Sequence, residues 1–66
     1  MVIELKGHGE YLGVKHKGFA LYRERKLKQV IPFHSLEGVL IAPNNTVSTN
    51  ALVYLAMYNV PTILIS

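Results

Sequence analysis

Apolar and polar positions alternate through the first half of the chain and stop alternating in the second. Val2–Leu5 is a short β-prone run, and Gly7-His8-Gly9 after it has the paired glycines that a reversal with positive φ needs. From Tyr11 to Lys15, Leu12 and Val14 fall on one face, with Tyr11, Gly13 and Lys15 on the other. That period of two predicts a half-buried strand. Lys17-Gly18 predicts a tight turn, and Phe19–Arg23 a returning strand. Glu24-Arg25-Lys26 is wholly charged and so an exposed connection, after which Leu27–Ile31 runs back. The first 31 residues therefore predict a meander of short antiparallel strands.

Pro32 cannot donate to a ladder and ends that run. Phe33–Glu37 reads as a short helical turn or an irregular link, Val39–Ala42 as a buried strand and Pro43-Asn44-Asn45 as a turn. The period then changes. Val47–Tyr58 predicts a helix, capped by Ser48 or Thr49 and followed by Asn59 in the left-handed position. Leu52, Leu55 and Ala56 form its expected spine toward the sheet. Val53, Tyr54, Met57 and Tyr58 leave it no charged face, and a helix apolar nearly all round is enclosed by other protein. Val60–Ile65 is the final strand. A strand–helix–strand unit with short links favours parallel neighbours and a right-handed crossover. Two parallel central strands are thus expected beside the meander. The fold class is α+β, mostly β. It is one small domain, residues 1–66, made of a basic meander (1–31) and a strand–helix–strand unit (32–66).

Composition adds a requirement for cover. No charged residue follows Glu37, and the chain given closes on its most apolar run, Pro61-Thr62-Ile63-Leu64-Ile65-Ser66. A strand that apolar is normally buried on both faces. Either a second copy covers it or a continuation of the chain does. A domain this short buries only about 60% of its unfolded surface and usually needs a staple. The absence of Cys excludes disulfides and suits a reducing, cytoplasmic setting. His8, His16 and His34 lack ligand spacing, so no metal site is expected in this chain. A partner surface is left as the staple, with Val53, Tyr54, Met57, Tyr58 and Ile63 as its candidates. No membrane is implied: Ala51–Ile65 is short of the about 20 residues of a span and contains Asn59 and Pro61. Met1 opens onto Val-Ile-Glu-Leu without a basic leader.

The net charge is +3, and all seven Lys/Arg and all four Glu lie within residues 1–37. Lys15, Lys17, Arg23, Arg25, Lys26 and Lys28 make a patch that can meet phosphate. The plainer reading is solvated hairpin tips that keep a small β protein soluble. Tyr11 and Tyr22 among these charges are placed as a single-strand binder or a duplex-end wedge would place them, though strand-face tyrosines also simply pack. Tyr54 and Tyr58, four apart on the helix, read as packing or interface residues. Catalytic groups do not assemble. There is no Asp, and Glu4, Glu10, Glu24 and Glu37 are scattered over positions expected to be exposed. His34 and Ser35 are adjacent and so point apart. Lys6-Gly7-His8-Gly9 is too short and isolated for a phosphate loop. The chain by itself reads as non-enzymatic.

From residue 31 on, the pattern becomes specific: Ile31-Pro32, then Leu36, Val39 and Ile41, then Val47-Ser48-Thr49, Ala51-Leu52 and Leu55-Ala56, and finally Val60-Pro61 before an aliphatic strand. This ordered set resembles the N-terminal β domain of CRISPR-associated protein one, the adaptation integrase. The hairpins around Gly18-Phe19 and Lys26–Ile31 agree with it. The resemblance implies a role in antiviral defence by spacer acquisition. It implies a following helical domain whose Glu/His/Asp set holds magnesium or manganese and acts as endonuclease and integrase; none of those positions is in this chain. It also implies a homodimer through the β domain, double-stranded DNA lying against that domain, and CRISPR-associated protein two as a further partner. Some relatives wedge open the duplex end with a tyrosine in the first hairpin region, and Tyr11 stands nearest to that position. The last strand departs from the family in lacking an aromatic residue. Two other readings fit the residues alone: a free-standing β module that binds nucleic acid on its meander, and a purely structural homodimer.

Overall fold

Val2–Leu5 (β1) is extended, as its residues predict, but it does not join the meander. The computed structural model, which describes residues 1–66, divides the strands between two sheets. Tyr11–Lys15 (β2), Gly18–Arg23 (β3) and Lys26–Pro32 (β4) pair antiparallel as the alternation requires. A single 3-10 turn, Phe33–Ser35, leads to Gly38–Ile41 (β5). Thr46–Val47 (β6) then returns to the first sheet, parallel to β2. The helix Thr49–Met57 (α1) and the strand Thr62–Leu64 (β7) complete the chain. The sheet orders are β4-β3-β2-β6 and β1-β5-β7. The second sheet is all parallel, with β5 in the centre. The strand–helix–strand unit is therefore parallel as expected, but β7 lies at an edge rather than in the centre. Each sheet also holds a strand from the other half of the chain, β1 in one and β6 in the other.

One core lies between the sheets and under the helix. Its largest fully buried side chains are Phe19, Leu5, Leu12, Ile31 and Val39. No charged side chain enters it. The helix begins as predicted, with Ser48 Oγ accepting from the Ala51 N–H at 3.0 Å. It ends before Asn59, which has φ of 53°. Its buried row differs from the expected one. Ala51 and Leu55 are buried, whereas Leu52 and Ala56 face outward. Residues four apart share a helix face, and the small Ala51 side chain lets the backbone lie close over β2. Setting the face on 51 and 55 rather than 52, 55 and 56 turns Leu52 into solvent.

The turns also redistribute what the glycines suggest. His16 and Lys17, with φ of 54° and 59°, make the β2–β3 turn; Glu24 and Arg25, with 54° and 63°, make the β3–β4 turn. Both are two-residue reversals with positive φ throughout, whose twist matches that of the strands they join. Gly18 is not in the turn but is the first residue of β3, paired with Lys15 and Pro32. A Cβ there would sit 2.6 Å from the Ile31 carbonyl oxygen. The glycine is required by this close approach of backbone.

Asn45 ties the two sheets' loops together. Its side-chain amide nitrogen lies 3.0, 2.9, 3.2 and 3.2 Å from the carbonyl oxygens of Leu5, Gly7, Ala42 and Pro43. Its Oδ1 accepts from the Glu10 backbone N–H at 2.9 Å. The β1–β2 connection is thus latched to the β5–β6 turn, which sets where β2 begins.

Candidate nucleic-acid interface and apolar face

The outward face of the four-stranded sheet is built on small residues. Partners across an antiparallel pair share a face, so the registers Tyr11 with Tyr22 and Gly13 with Ala20 put both tyrosines and both small residues on one side. The two rings meet edge to face, with centroids 5.7 Å apart and planes at 71°. The Tyr11 ring lies over Gly13, where an added Cβ would come within 2.8 Å of Cε1. Beside this pair runs a groove of about 440 Å³, lined by Gly9, Tyr11, Gly13, Val14, Tyr22, Arg25, Ser48 and Asn50. Sequence reasoning picked out Tyr11, Tyr22 and Arg25 but missed Ser48 and Asn50 as neighbours. They arrive only because β6 brings the start of the helix alongside β2.

The basic residues form two groups, not one patch. Lys15 and Lys17 stand at the β2–β3 turn, and Arg23, Arg25 and Lys26 at the β3–β4 turn. The six-residue β3 separates them by about 20 Å. Lys28 falls between Leu27 and Gln29 where the register of β4 slips, so it is the extra residue of a bulge. Arg23 is partly spent internally: its Nε donates to Glu10 Oε2 at 3.0 Å. Glu10, expected to be exposed, has only 12% of its side chain accessible, because the latched β1–β2 loop folds it against Arg23. Arg25, Lys26, Lys28, Lys15 and Lys17 have no carboxylate partner and keep their full charge for an external anion.

The five candidate interface residues divide as well. Val53 and Met57 face outward from the helix, with Met57 65% exposed. Tyr54 is half-buried, its ring stacked on Phe33 at 4.3 Å with an interplanar angle of 1°. Tyr58 stacks on the same ring at 5.3 Å and is otherwise exposed. Tyr54 therefore belongs mainly to packing between the helix and the 3-10 turn. Ile63 pairs with Leu40 and shares with it the outer face of the parallel sheet. Leu52, expected on the buried spine of the helix, and Leu64 are exposed too, Leu64 by 79%. The outward side chains of α1 and of β7 are all uncharged.

No three His, Cys, Asp or Glu side chains converge. The Met1 ammonium beside Glu37 holds that carboxyl below its usual range through a hydrogen bond and direct attraction. Glu37 thus forms a surface clasp with the first residue. No helix is long and apolar enough to cross a membrane.

The family model described as CRISPR associated protein Cas1 matches residues 3–66. The fold is shared with a chain of the Cas6-RT-Cas1–Cas2 complex at a TM-score of 0.88 and 15% identity, over 100% of this chain and 7% of that one. A chain of the partial Cas6-RT-Cas1–Cas2 complex gives 0.87 and 16%, over 97% and 19%. A chain of the TtCas1–DNA complex gives 0.80 and 14%, over 98% and 22%. No curated protein matches the chain. The 66 residues span about a fifth or less of these structural relatives.

Proposed function

Since the chain belongs to the family of CRISPR-associated protein Cas1, we propose that residues 1–66 serve CRISPR adaptation as a non-catalytic β domain that joins two copies and lies against the captured DNA. The observation that carries this reading is the division of the surface. Unpaired cations occupy the four-stranded sheet and its turns, while α1 and β7 expose only uncharged side chains. The first surface suits a duplex backbone and the second a protein partner. Cutting and joining of DNA, with magnesium or manganese, would belong to a helical domain outside these residues. A Cas2 partner and a cytoplasmic setting follow from the same reading. Single-residue identities of about 15% to the structural relatives carry no residue roles across, so the site assignments rest on this chain's own geometry.

Two measurements test it. Sedimentation at micromolar concentration is expected to give a dimer. Met57→Glu and Ile63→Glu should each weaken it about tenfold by placing a charge where an apolar contact is needed. A clean monomer for the parent chain would remove the dimer reading. For DNA, Arg25→Glu combined with Lys26→Glu should lower duplex affinity about tenfold at low salt. It should also flatten the plot of log Kd against log salt by about two. Unchanged affinity would move the DNA surface off this sheet.

A further inference from the structure

Three features at one corner of the four-stranded sheet each work against stability when taken alone. The first is Glu10. Continued one step past Tyr11 and Tyr22, the β2–β3 register sets Glu10 opposite Arg23. Both fall on the face of Leu12 and Leu21, at the end of the core and on the other side of β3 from Tyr22. The residue is pinned at its backbone: the N–H donates to Asn45 Oδ1 at 2.9 Å, and the carbonyl accepts from the Thr46 N–H at 2.9 Å. Its Oε2 lies against Gly7, where an added Cβ would stand 2.7 Å away. Yet Oε1 is buried without a hydrogen-bond partner. A carboxylate so placed destabilises a fold unless something offsets it. The second feature is Arg23. Only its Nε bonds to Glu10, and its two Nη groups have no partner. A pair serving stability does best as a two-bond fork on both carboxylate oxygens, and this one leaves Oε1 unused. The third is Lys26. It is the partner of Arg23 across β3 and β4, so two cations stand side by side on one face and repel.

We propose that Arg23 and Lys26 form a seat for a phosphate group, and that Glu10 is its positioning residue. Glu10 fixes the guanidinium through Nε. The Nη groups are then left to donate to phosphate oxygens, with the Lys26 ammonium as a point charge beside them. An anion between the two cations removes their repulsion. The half-bonded, buried carboxylate is explained because it orients the guanidinium before the anion arrives, which lowers the ordering cost of binding. The phosphate has two sources. One is a DNA backbone, for which the seat rests on the DNA-adjacent reading above and deepens it; the other is free phosphate. Plain electrostatics gives Glu10 the opposite role, since a carboxylate repels a phosphate. The sign of its effect therefore separates positioning from charge.

The test uses the 66-residue chain with two probes, a short blunt duplex and inorganic phosphate. Glu10→Ala should lower duplex affinity about fivefold although it removes a negative charge. Glu10→Gln keeps an acceptor for Arg23 Nε and loses the charge, so it should bind at least as tightly as the parent. Arg23→Lys should lose about the same factor as Glu10→Ala with an unchanged salt slope, because the charge stays and the planar donor set goes. In NMR spectra the Arg23 Nε–H signal should move on addition of the duplex. Tighter binding by both Glu10 variants would overturn the positioning role and leave the duplex-facing surface standing. So would duplex binding that leaves the Arg23 signal still. If Glu10→Ala does not fold, Arg23→Lys decides alone, and parental affinity in it overturns the seat. No duplex binding, with the Arg23 signal moved by inorganic phosphate, would keep the seat, assign it to free phosphate and remove the DNA reading. No response to either probe would remove both.

Discussion

Asn45→Asp is expected to remove a large share of the chain's stability at neutral pH, although it hardly changes the shape of one part-buried side chain. Four carbonyl oxygens surround the Asn45 amide nitrogen within 3.2 Å, and a backbone N–H faces its oxygen. That arrangement admits only one orientation of the amide. Replacing the nitrogen by a second carboxylate oxygen turns donation into repulsion against all four acceptors. Losing the hydrogen bonds and stranding a part-buried charge together cost about 3–5 kcal/mol. A domain of 66 residues has roughly 3–10 kcal/mol to lose. The effect also has a sign in pH. Protonating the new carboxyl restores one donor, so its pKa in the folded state lies above that in the unfolded chain. The group then favours folding at low pH, and that benefit is lost as pH rises through the raised value. The thermal-midpoint gap between variant and parent should therefore narrow on acidification. Asn44→Asp is the control: Asn44 is exposed with φ of 69°, a conformation Asp tolerates, and it should change the midpoint little. Equal effects at the two positions would mean that the latch has no special weight.

The same latch marks the boundary of what could be read from the residues. Strands β2 to β4, the Ser48 cap and the Asn59 exit were legible because each depends on a few neighbouring side chains. The resemblance across residues 31–66 was legible because it is an ordered set, and the family match over residues 3–66 agrees with it. What escaped were pairings between residues far apart. Nothing near Val2–Leu5 says that it will lie parallel to β5, and nothing near Thr46-Val47 says that they will extend the meander. The groove follows from that second pairing, so Ser48 and Asn50 could not be joined to Tyr11 in advance. The rotation of the helix was missed for a different reason. Leucine outranks alanine in burial on average, but Ala51 wins here because a small side chain suits close approach to β2. Asn45 did carry a signal: an Asn-Asn pair after Pro43 announces side-chain bonding to turn backbone, though not to which carbonyls.

Gly18→Ala should destabilise the chain by about 2–3 kcal/mol, while Lys17→Gly, one residue earlier, should stabilise it by about 0.5 kcal/mol. The pair inverts what the sequence suggests, in which the glycine serves the turn and the lysine is free to vary. A Cβ at position 18 meets the Ile31 carbonyl oxygen at 2.6 Å and Val30 Cγ1 at 2.9 Å. A side-chain methyl can rotate away, but the carbonyl belongs to the β3–β4 ladder, and moving it disturbs the edge of the strand that carries buried Ile31. The cost is therefore one of overpacking against backbone, at the corner where β3 also supports Phe19. Lys17, by contrast, holds φ of 59° in the two-residue turn. A non-glycine residue pays about 1 kcal/mol or more for that conformation. Glycine removes the strain and returns part of it as chain entropy in the unfolded state. Urea unfolding at constant m-value would read both changes as shifts of midpoint in opposite directions. If Gly18→Ala proved neutral, β4 would have to yield at Ile31. The register that places Tyr22, Arg25 and the groove relative to one another would then be softer than these contacts imply.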